Sequence, residues 1–350
     1  MEVTDEEQSR KDEDIHVKRE GLTRRELLLG AIGGGILAAS GGTLLGNCSK
    51  RSWYPETFIG KIDNYEKEIA SMIVSGFNEL KVSKTEIKGK RILLKPNLVE
   101  PHLGAGHINT HPNVVRGVAE AFFRFGASQV MVAEGSGHCR DSQLVLDVSG
   151  LGGVLLEDRI PFVDLNYAEG YSIENAGKHA DIDRFTFPGI LRQVDWIVSL
   201  AKMKTHHWSG VTLSMKNLFG VMPGIYYGWP KNVLHWKGIE ESVLDICQTL
   251  RPHFAIVDGI IGMEGDGPIM GDPHHAGVLV MGRNLPAVDA TCAQIMGINP
   301  KKIKYLKFAM RELGSSSTSD IIQRGELIAS VRTNFALLEN IYAHRGLRLP

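Results

Sequence analysis

Short apolar runs, too brief for helices, alternate along this chain with stretches whose apolar residues recur at helical spacing. Arg91-Ile92-Leu93-Leu94 is the first clear run, and it stops at Lys95-Pro96-Asn97. Further runs follow at 129–133, 162–163, 196–200, 254–257 and 277–281. Between them, 112–125, 240–250, 286–296 and 302–313 read as helices, the first with proline in its opening turn, where the missing N–H is no loss, and 142–156 reads as partly helical. Upstream, Ile69, Met72, Ile73 and Phe77 mark 65–80 as an amphipathic helix. Strands that are apolar throughout must be covered on both faces. The pattern therefore predicts a three-layer α/β fold, a mostly parallel β-sheet flanked by helices. Four segments result: 1–48, a charged region followed by a signal-like run; 49–89, a linker and N-terminal helix; 90–313, the α/β domain; and 314–350, a C-terminal helical tail.

Charge excludes one class of function. Of 350 residues, 39 are Lys or Arg and 40 are Asp or Glu, a net charge of −1. A chain that binds nucleic acid regardless of sequence needs a basic excess to neutralise phosphates, so no nucleic-acid partner is expected. The first 25 residues hold eight acids and six bases with no apolar period, which predicts disorder there. Thr23-Arg24-Arg25-Glu26-Leu27-Leu28 then opens an uncharged run over 27–47 that contains seven of the 39 glycines. A paired arginine before a weakly apolar, glycine-rich core resembles a twin-arginine export signal. The expectation is an exported protein, periplasmic or membrane-anchored through this segment, with the export machinery as a partner. The run is long enough to span a bilayer, so an uncleaved anchor stays open. Ala38-Ala39-Ser40 offers a cleavage site, and Leu45-Gly46-Asn47-Cys48 partly matches a lipoprotein box. The four cysteines (48, 139, 247 and 292) contain no Cys-x-x-Cys, hence no self-contained iron–sulfur or zinc-ribbon motif.

Polar side chains gather just past the carboxyl ends of the expected strands: Asn97, Glu134, Asp164, Lys202, Lys204, His206 and Asp258. In open α/β sheets that edge is where ligands bind. Residues 202–217 are the richest stretch, with Lys202, Lys204, His206, His207, Lys216 and Asn217. Such a cluster suits a small anionic molecule, and a lysine whose pKa burial lowers can act as a base. Residues 259–268 are glycine-rich but lack the Gly-Lys-Ser/Thr of a P-loop; Glu264 and Asp266 could supply carboxylates there, or the stretch is a tight turn. Glu134, His206, Asp258 and Glu264 form a mixed histidine–carboxylate set that suits zinc, iron or manganese, so a divalent metal is a candidate cofactor without a local signature to support it. Residues 224–237, with Tyr226, Tyr227, Trp229, His235 and Trp236, read as a lid or a packed aromatic loop. No Gly-x-Ser-x-Gly is present to support a serine hydrolase.

Five separated motifs occur in a recognisable order: Lys95-Pro96-Asn97, Lys202-Met203-Lys204-Thr205-His206, Met215-Lys216-Asn217-Leu218-Phe219-Gly220, Asp258-Gly259-Ile260-Ile261-Gly262-Met263-Glu264-Gly265 and Ala287-Val288-Asp289-Ala290. Over roughly 90–313 the chain resembles the bacterial and archaeal "domain of unknown function 362" family. The resemblance implies an α/β domain of uncharacterised activity. It directs attention to Lys95, Asn97, Lys204, His206, Lys216, Asn217, Asp258, Glu264 and Asp289. With the residues beside them, the candidates are Lys95, Asn97, Lys202, Lys216, Asn217, Asp258, Gly265 and Asp289 for ligand binding and Lys204, His206 and Glu264 for catalysis. Some relatives are fused to ferredoxin modules, which implies a redox partner protein; this chain has no cluster motif of its own. Two classes of function stand open: an exported enzyme acting on a small anion, and a non-enzymatic accessory or ligand-binding protein of a redox system.

Overall fold

The computed structural model describes residues 55–104, 106–138, 141–314 and 318–350. The signal-like segment, Cys48 and Cys139 lie outside the described residues. β2 (Arg91–Lys95), β3 (Gln129–Glu134) and β4 (Phe162–Asp164) run parallel, because helical crossovers join them. Those crossovers are α2 (Pro112–Arg124) and the pair α3 (Ser142–Val148) and α4 (Leu151–Glu157). The stretch over 142–156, expected to be partly helical, forms two helices divided at Gly150, whose φ of 78° is left-handed. β7 (Trp196–His206) extends the sheet parallel to β2, and β9 (Phe254–Glu264) runs parallel to β7. β10 (Asp272–Gly282) turns back against β9, and β1 (Glu56–Lys61) pairs antiparallel to β10. β11 (Ile322–Gly325) closes the far edge parallel to β1, and β8 (Gly210–Thr212) folds back on the end of β7. The nine-stranded order is β11-β1-β10-β9-β7-β2-β3-β4 with β8 beside β7; β5 (Gly170–Glu174) and β6 (Arg184–Pro188) form a separate hairpin.

Alternation along each strand fills the layers on either side. Trp196, Val198 and Leu200 pack with Ile92, Leu94, Phe254 and Ile256 under α1 (Ile69–Glu79) and α2. Ile197, Ala201 and Met203 pack with Leu93, Ala255 and Val257 under α5 (Ile239–Leu250), α6 (Leu285–Ile295) and α7 (Lys304–Glu312). The protein is therefore the expected α/β fold, a mixed and mostly parallel sheet between helical layers.

Three expectations need correction. β7 and β9 each run 11 residues, so Lys202, Lys204, His206 and Asp258 lie inside strands rather than beyond their ends. The sequence Lys-Met-Lys-Thr-His keeps a period of two, and Lys202 hydrogen-bonds to Asp258 rather than facing water. The helix expected over 65–80 begins at Ile69, because Tyr65 is drawn into a hydrogen bond with Asp258. The C-terminal segment is not a helical tail: it contributes β11, one helical turn at Ile328–Val331 and a 3-10 turn at Tyr342–His344. Pairing with β1 satisfies its backbone, and Arg324 meets Glu56 at 2.8 Å.

Candidate anion-binding site

Carboxyl ends of β2, β3 and β7 meet over a cavity of about 90 Å³. β2 delivers Lys95 at its last position, with Asn97 just beyond; β3 delivers Glu134 at its end; β7 contributes Lys204 and His206. Thr212 enters from β8, Lys216 and Asn217 from the helical turn Ser214–Asn217, and Lys231 and His235 from the start and body of the short helix Asn232–Trp236 further along.

At its floor lies a clamp of buried charge. Lys95 sits 2.9 Å from Glu134 and donates to the backbone oxygen and Oδ1 of Asn217 at 2.6 and 2.8 Å. Glu134 also accepts from the backbone N–H groups of Leu98 and Gly135 at 3.0 and 2.9 Å. Asn217 is saturated: its Nδ2 donates to the Lys95 carbonyl and the Ser199 hydroxyl. Asn217 thus fixes Lys95 rather than facing a ligand. Gly220 is the residue that lets this clamp close, since a Cβ there would lie 2.5 Å from Lys95 Nζ and against Glu134.

Above the clamp, ammonium groups outnumber carboxylates. Lys95, Lys204, Lys216 and Lys231 line the cavity, and Glu134 is the one carboxylate among its lining residues. Lys204 Nζ donates to the carbonyls of Ile108 and Pro268 at 2.8 and 3.2 Å, and Lys231 donates to Asn166 Oδ1. Lys216 has no hydrogen-bond or ion-pair partner among the described residues; its Nζ stands 3.9 Å over the Phe219 ring. Burial lowers the pKa of all four, with Glu134 partly offsetting it at Lys95 and Lys231. Lys216, beside the Lys95 charge, and Lys231 both come down to about 7. Lys204 falls well below its usual range, from burial first and then from Lys202, Lys216 and Lys95.

Two histidines of the wall, His206 and His235, are held neutral. His206 Nδ1 accepts from the backbone N–H groups of Trp208 and Ser209 at 3.0 and 3.3 Å, which leaves its proton on Nε2. Burial and nearby Lys216 hold its pKa well below the usual value. His235 donates from Nδ1 to the Lys231 carbonyl at 3.0 Å, and burial and Lys216 bring it to about 4. Two buried acceptors in the cavity, Asn97 Oδ1 and Thr212 Oγ1, have no partner among the described residues. Unsatisfied buried polar atoms are rare and mark places where a ligand or water completes the bonding. Chemically the arrangement offers positive charge, N–H donors and amines that are part-neutral near pH 7.

Other expected site residues serve elsewhere. Lys202 sits 2.8 Å from Asp258 and donates at 2.9 Å to the Tyr65 hydroxyl, and the His111 backbone N–H donates to Asp258 at 3.1 Å. Tyr65 stacks on His111 with ring centres 3.7 Å apart. This network closes the α1/α2 side of the sheet and does not line the cavity. Glu264 pairs with His274 at 2.7 Å and accepts from the Ala336 backbone at 2.7 Å, and Gly265 bonds Ala336 and Thr205 through its backbone. Both fasten the C-terminal segment. Asp289 accepts from the Ser214 and Met215 backbone N–H groups at 2.8 and 3.1 Å and from the Ser214 hydroxyl at 2.5 Å, so it anchors the turn that carries Lys216. The four expected metal ligands are not brought together: Glu134 holds Lys95, Asp258 holds Lys202 and Glu264 holds His274. Among the described residues no group of three or more His, Cys, Asp or Glu is placed to hold a metal.

Lys231 and Thr212 were not legible as site residues. Lys231 is buried with a left-handed backbone, φ 69°, in a loop whose pattern marked only aromatics. The chain belongs to the family described as domain of unknown function 362, whose profile matches residues 92–294. A thylakoid-associated protein of Synechocystis sp. is 28% identical over 242 residues, which cover 66% of this chain and 70% of that protein. A crystal structure of a Thermotoga maritima protein superposes with a TM-score of 0.37 at 13% identity over 67% of this chain, which spans 59% of that protein.

Proposed function

We propose that the cavity binds a small anion carrying a carboxylate or phosphate, and that the protein is an enzyme acting on such a molecule. One observation carries this reading: three buried lysines, Lys95, Lys204 and Lys231, and the half-buried Lys216 face one cavity whose described lining holds a single carboxylate. Buried cations persist where something anionic pairs with them, and the described residues lining this cavity provide one such group, Glu134. Asn97 Oδ1 and Thr212 Oγ1 supply acceptors for a hydroxyl or protonated group of the same ligand. His206 Nε2–H and Lys204 then stand as donors, with Lys216 as the amine able to take up a proton.

Anion binding should be coupled to proton uptake. Lys216 and Lys231, at about 7, are mostly neutral at pH 8, and a bound anion favours their charged forms. Titration calorimetry with inorganic phosphate, at pH 8 in buffers of different ionisation enthalpy, should register uptake of up to about two protons per anion bound. Binding without proton uptake, or no binding of phosphate or small carboxylates, would overturn the reading.

We further propose export by the twin-arginine route. Arg24-Arg25 followed by the uncharged, glycine-rich 27–47 run supports it. Among the described residues no helix is long and apolar enough to cross a membrane. Fusion of residues 1–48 to a folded reporter should give export that Arg24→Lys/Arg25→Lys abolishes; export that survives the double change would refute this route.

A further inference from the structure

Resting on the anion-binding reading, we propose that Lys216 is a nucleophile that forms an imine with an anionic carbonyl compound of the 2-oxo acid class. Three features of its setting lead there. Among the described residues Lys216 is the cavity lysine without a hydrogen-bond acceptor or carboxylate: Lys95 is clamped by Glu134 and Asn217, Lys204 by two carbonyls, and Lys231 by Asn166. A clamped ammonium cannot attack, because its lone pair is committed to a proton held in place by its acceptors. Lys216 rests only on the Phe219 ring, which leaves the amine free to turn into the cavity.

The second feature is the electrostatic company. Lys95 is the charge that acts on Lys216 beside its burial; Lys204, His138, His206 and His235 in turn feel the Lys216 charge, and Glu134, the carboxylate of the cavity lining, is engaged by Lys95. Burial among them disfavours the ammonium, and about half of Lys216 is amine near pH 7. This is the way a lysine is activated for Schiff-base chemistry: desolvation beside another cation.

The third is that the cavity can receive the rest of the molecule. A 2-oxo acid has a carboxylate for the Lys95–Lys204–Lys231 ring and a carbonyl carbon next to it, one bond from the anchored group. The amine adds to that carbon and the C=O becomes a carbinol. The carbinol oxygen then leaves as water with the two hydrogens lost from the nitrogen, and a C=N bond joins Lys216 to the substrate. No oxidant or reductant enters. His206, neutral and with its proton on Nε2, donates a hydrogen bond to the departing oxygen, while both protons of the water come from the amine.

Testing uses the whole protein with pyruvate and cyanoborohydride at pH 7, followed by intact mass and peptide mapping. The expected result is a single reduced adduct on Lys216, absent from Lys216→Met and Lys216→Arg. At pH 7 the neutral fraction of Lys216 exceeds that of a surface lysine by a factor on the order of 10³, so adduct at Lys216 should far outrun adduct elsewhere. Modification spread over surface lysines with Lys216 unmodified would overturn the proposal. Calorimetry with pyruvate separates the two failures. Pyruvate bound without adduct defeats the imine and leaves the anion site standing, whereas neither binding nor adduct defeats both. Labelling of Lys216 by an anionic amine reagent, trinitrobenzenesulfonate, supplies a second readout independent of any carbonyl. Its rate should rise with a midpoint near pH 7, and a midpoint near that of a surface lysine would overturn the activation of Lys216.

Discussion

Replacing Asp289 by asparagine probes the anchor of the cavity through its pH dependence. Asp289 is fully buried at the base of the turn that carries Lys216 and Asn217, and four donors converge on it: two backbone N–H groups, the Ser214 hydroxyl and the Tyr305 hydroxyl at 3.4 Å. Burial pushes its carboxyl up to about 7 against an unfolded value of 3.8, and the hydrogen bonds from Ser214, Met215 and Tyr305 only partly oppose this. Between those values the native protein holds a proton that the unfolded chain has released. Stability from this group is therefore complete below pH 4 and is lost as pH rises to 7. Each pH unit corresponds to about 1.4 kcal/mol, so the loss across the window is about 4 kcal/mol. His111 and His235, lowered to about 4, act with the opposite sign over much of the same range, which is why the wild-type curve alone is not diagnostic. The difference between wild type and Asp289→Asn isolates the carboxyl. Urea unfolding at pH 4, 5, 6 and 7 should show the wild type losing about 4 kcal/mol relative to the variant across the series. A difference that stays constant within about 1 kcal/mol would refute the raised carboxyl.

Three further outcomes follow from the same contacts. Lys95→Met leaves Glu134 buried without its ion-pair partner and should destabilise by about 3–5 kcal/mol in urea unfolding, with Lys95→Met/Glu134→Gln recovering much of the loss; a double variant no better than the single one would argue against the clamp. Gly220→Ala drives a Cβ into Lys95 and Glu134 and should weaken phosphate binding at least about tenfold by calorimetry, the effect of roughly 1.4 kcal/mol; unchanged affinity would show that the clamp does not shape the cavity. Lys202→Met breaks the pair with Asp258 and should lower stability by a similar 3–5 kcal/mol while leaving phosphate affinity unchanged in the folded fraction, because this pair lies outside the cavity; loss of binding in a folded variant would place Lys202 in the site after all.

How much of this was legible in the sequence depends on how local the signal is. The strands β2, β3 and β4 and the helices between them were readable because apolar runs and turn residues are local patterns. The extensions of β7 and β9 were misread because charged residues look like a strand's end, although Lys202, Lys204 and His206 keep the strand's period of two. What hides that signal is long-range: Lys202 is tolerated only because Asp258, 56 residues away in sequence, lies 2.8 Å from it. Of the expected ligand-binding residues, Lys95, Asn97, Lys216 and Asn217 do line one cavity, while Lys202, Asp258, Gly265 and Asp289 do not. Residue type alone cannot separate the two groups, since a lysine in an internal ion pair and one facing a ligand have the same letter. Lys231 carried no pattern at all; its burial is decided by Asn166, which comes from a loop 65 residues earlier. The C-terminal strand was missed because Ile322–Gly325 is four residues long and finds its partner only at the other end of the chain, in β1.

The most direct test of an anion in the lysine-lined cavity is a crystal structure of the protein grown with selenate, whose anomalous scattering locates the ion without reference to the protein map. The predicted result is one strong anomalous peak within hydrogen-bond reach of Lys216 and at least one of Lys95, Lys204 and Lys231. Selenate bound only to exposed lysines at the surface, with the cavity holding water alone, would contradict it.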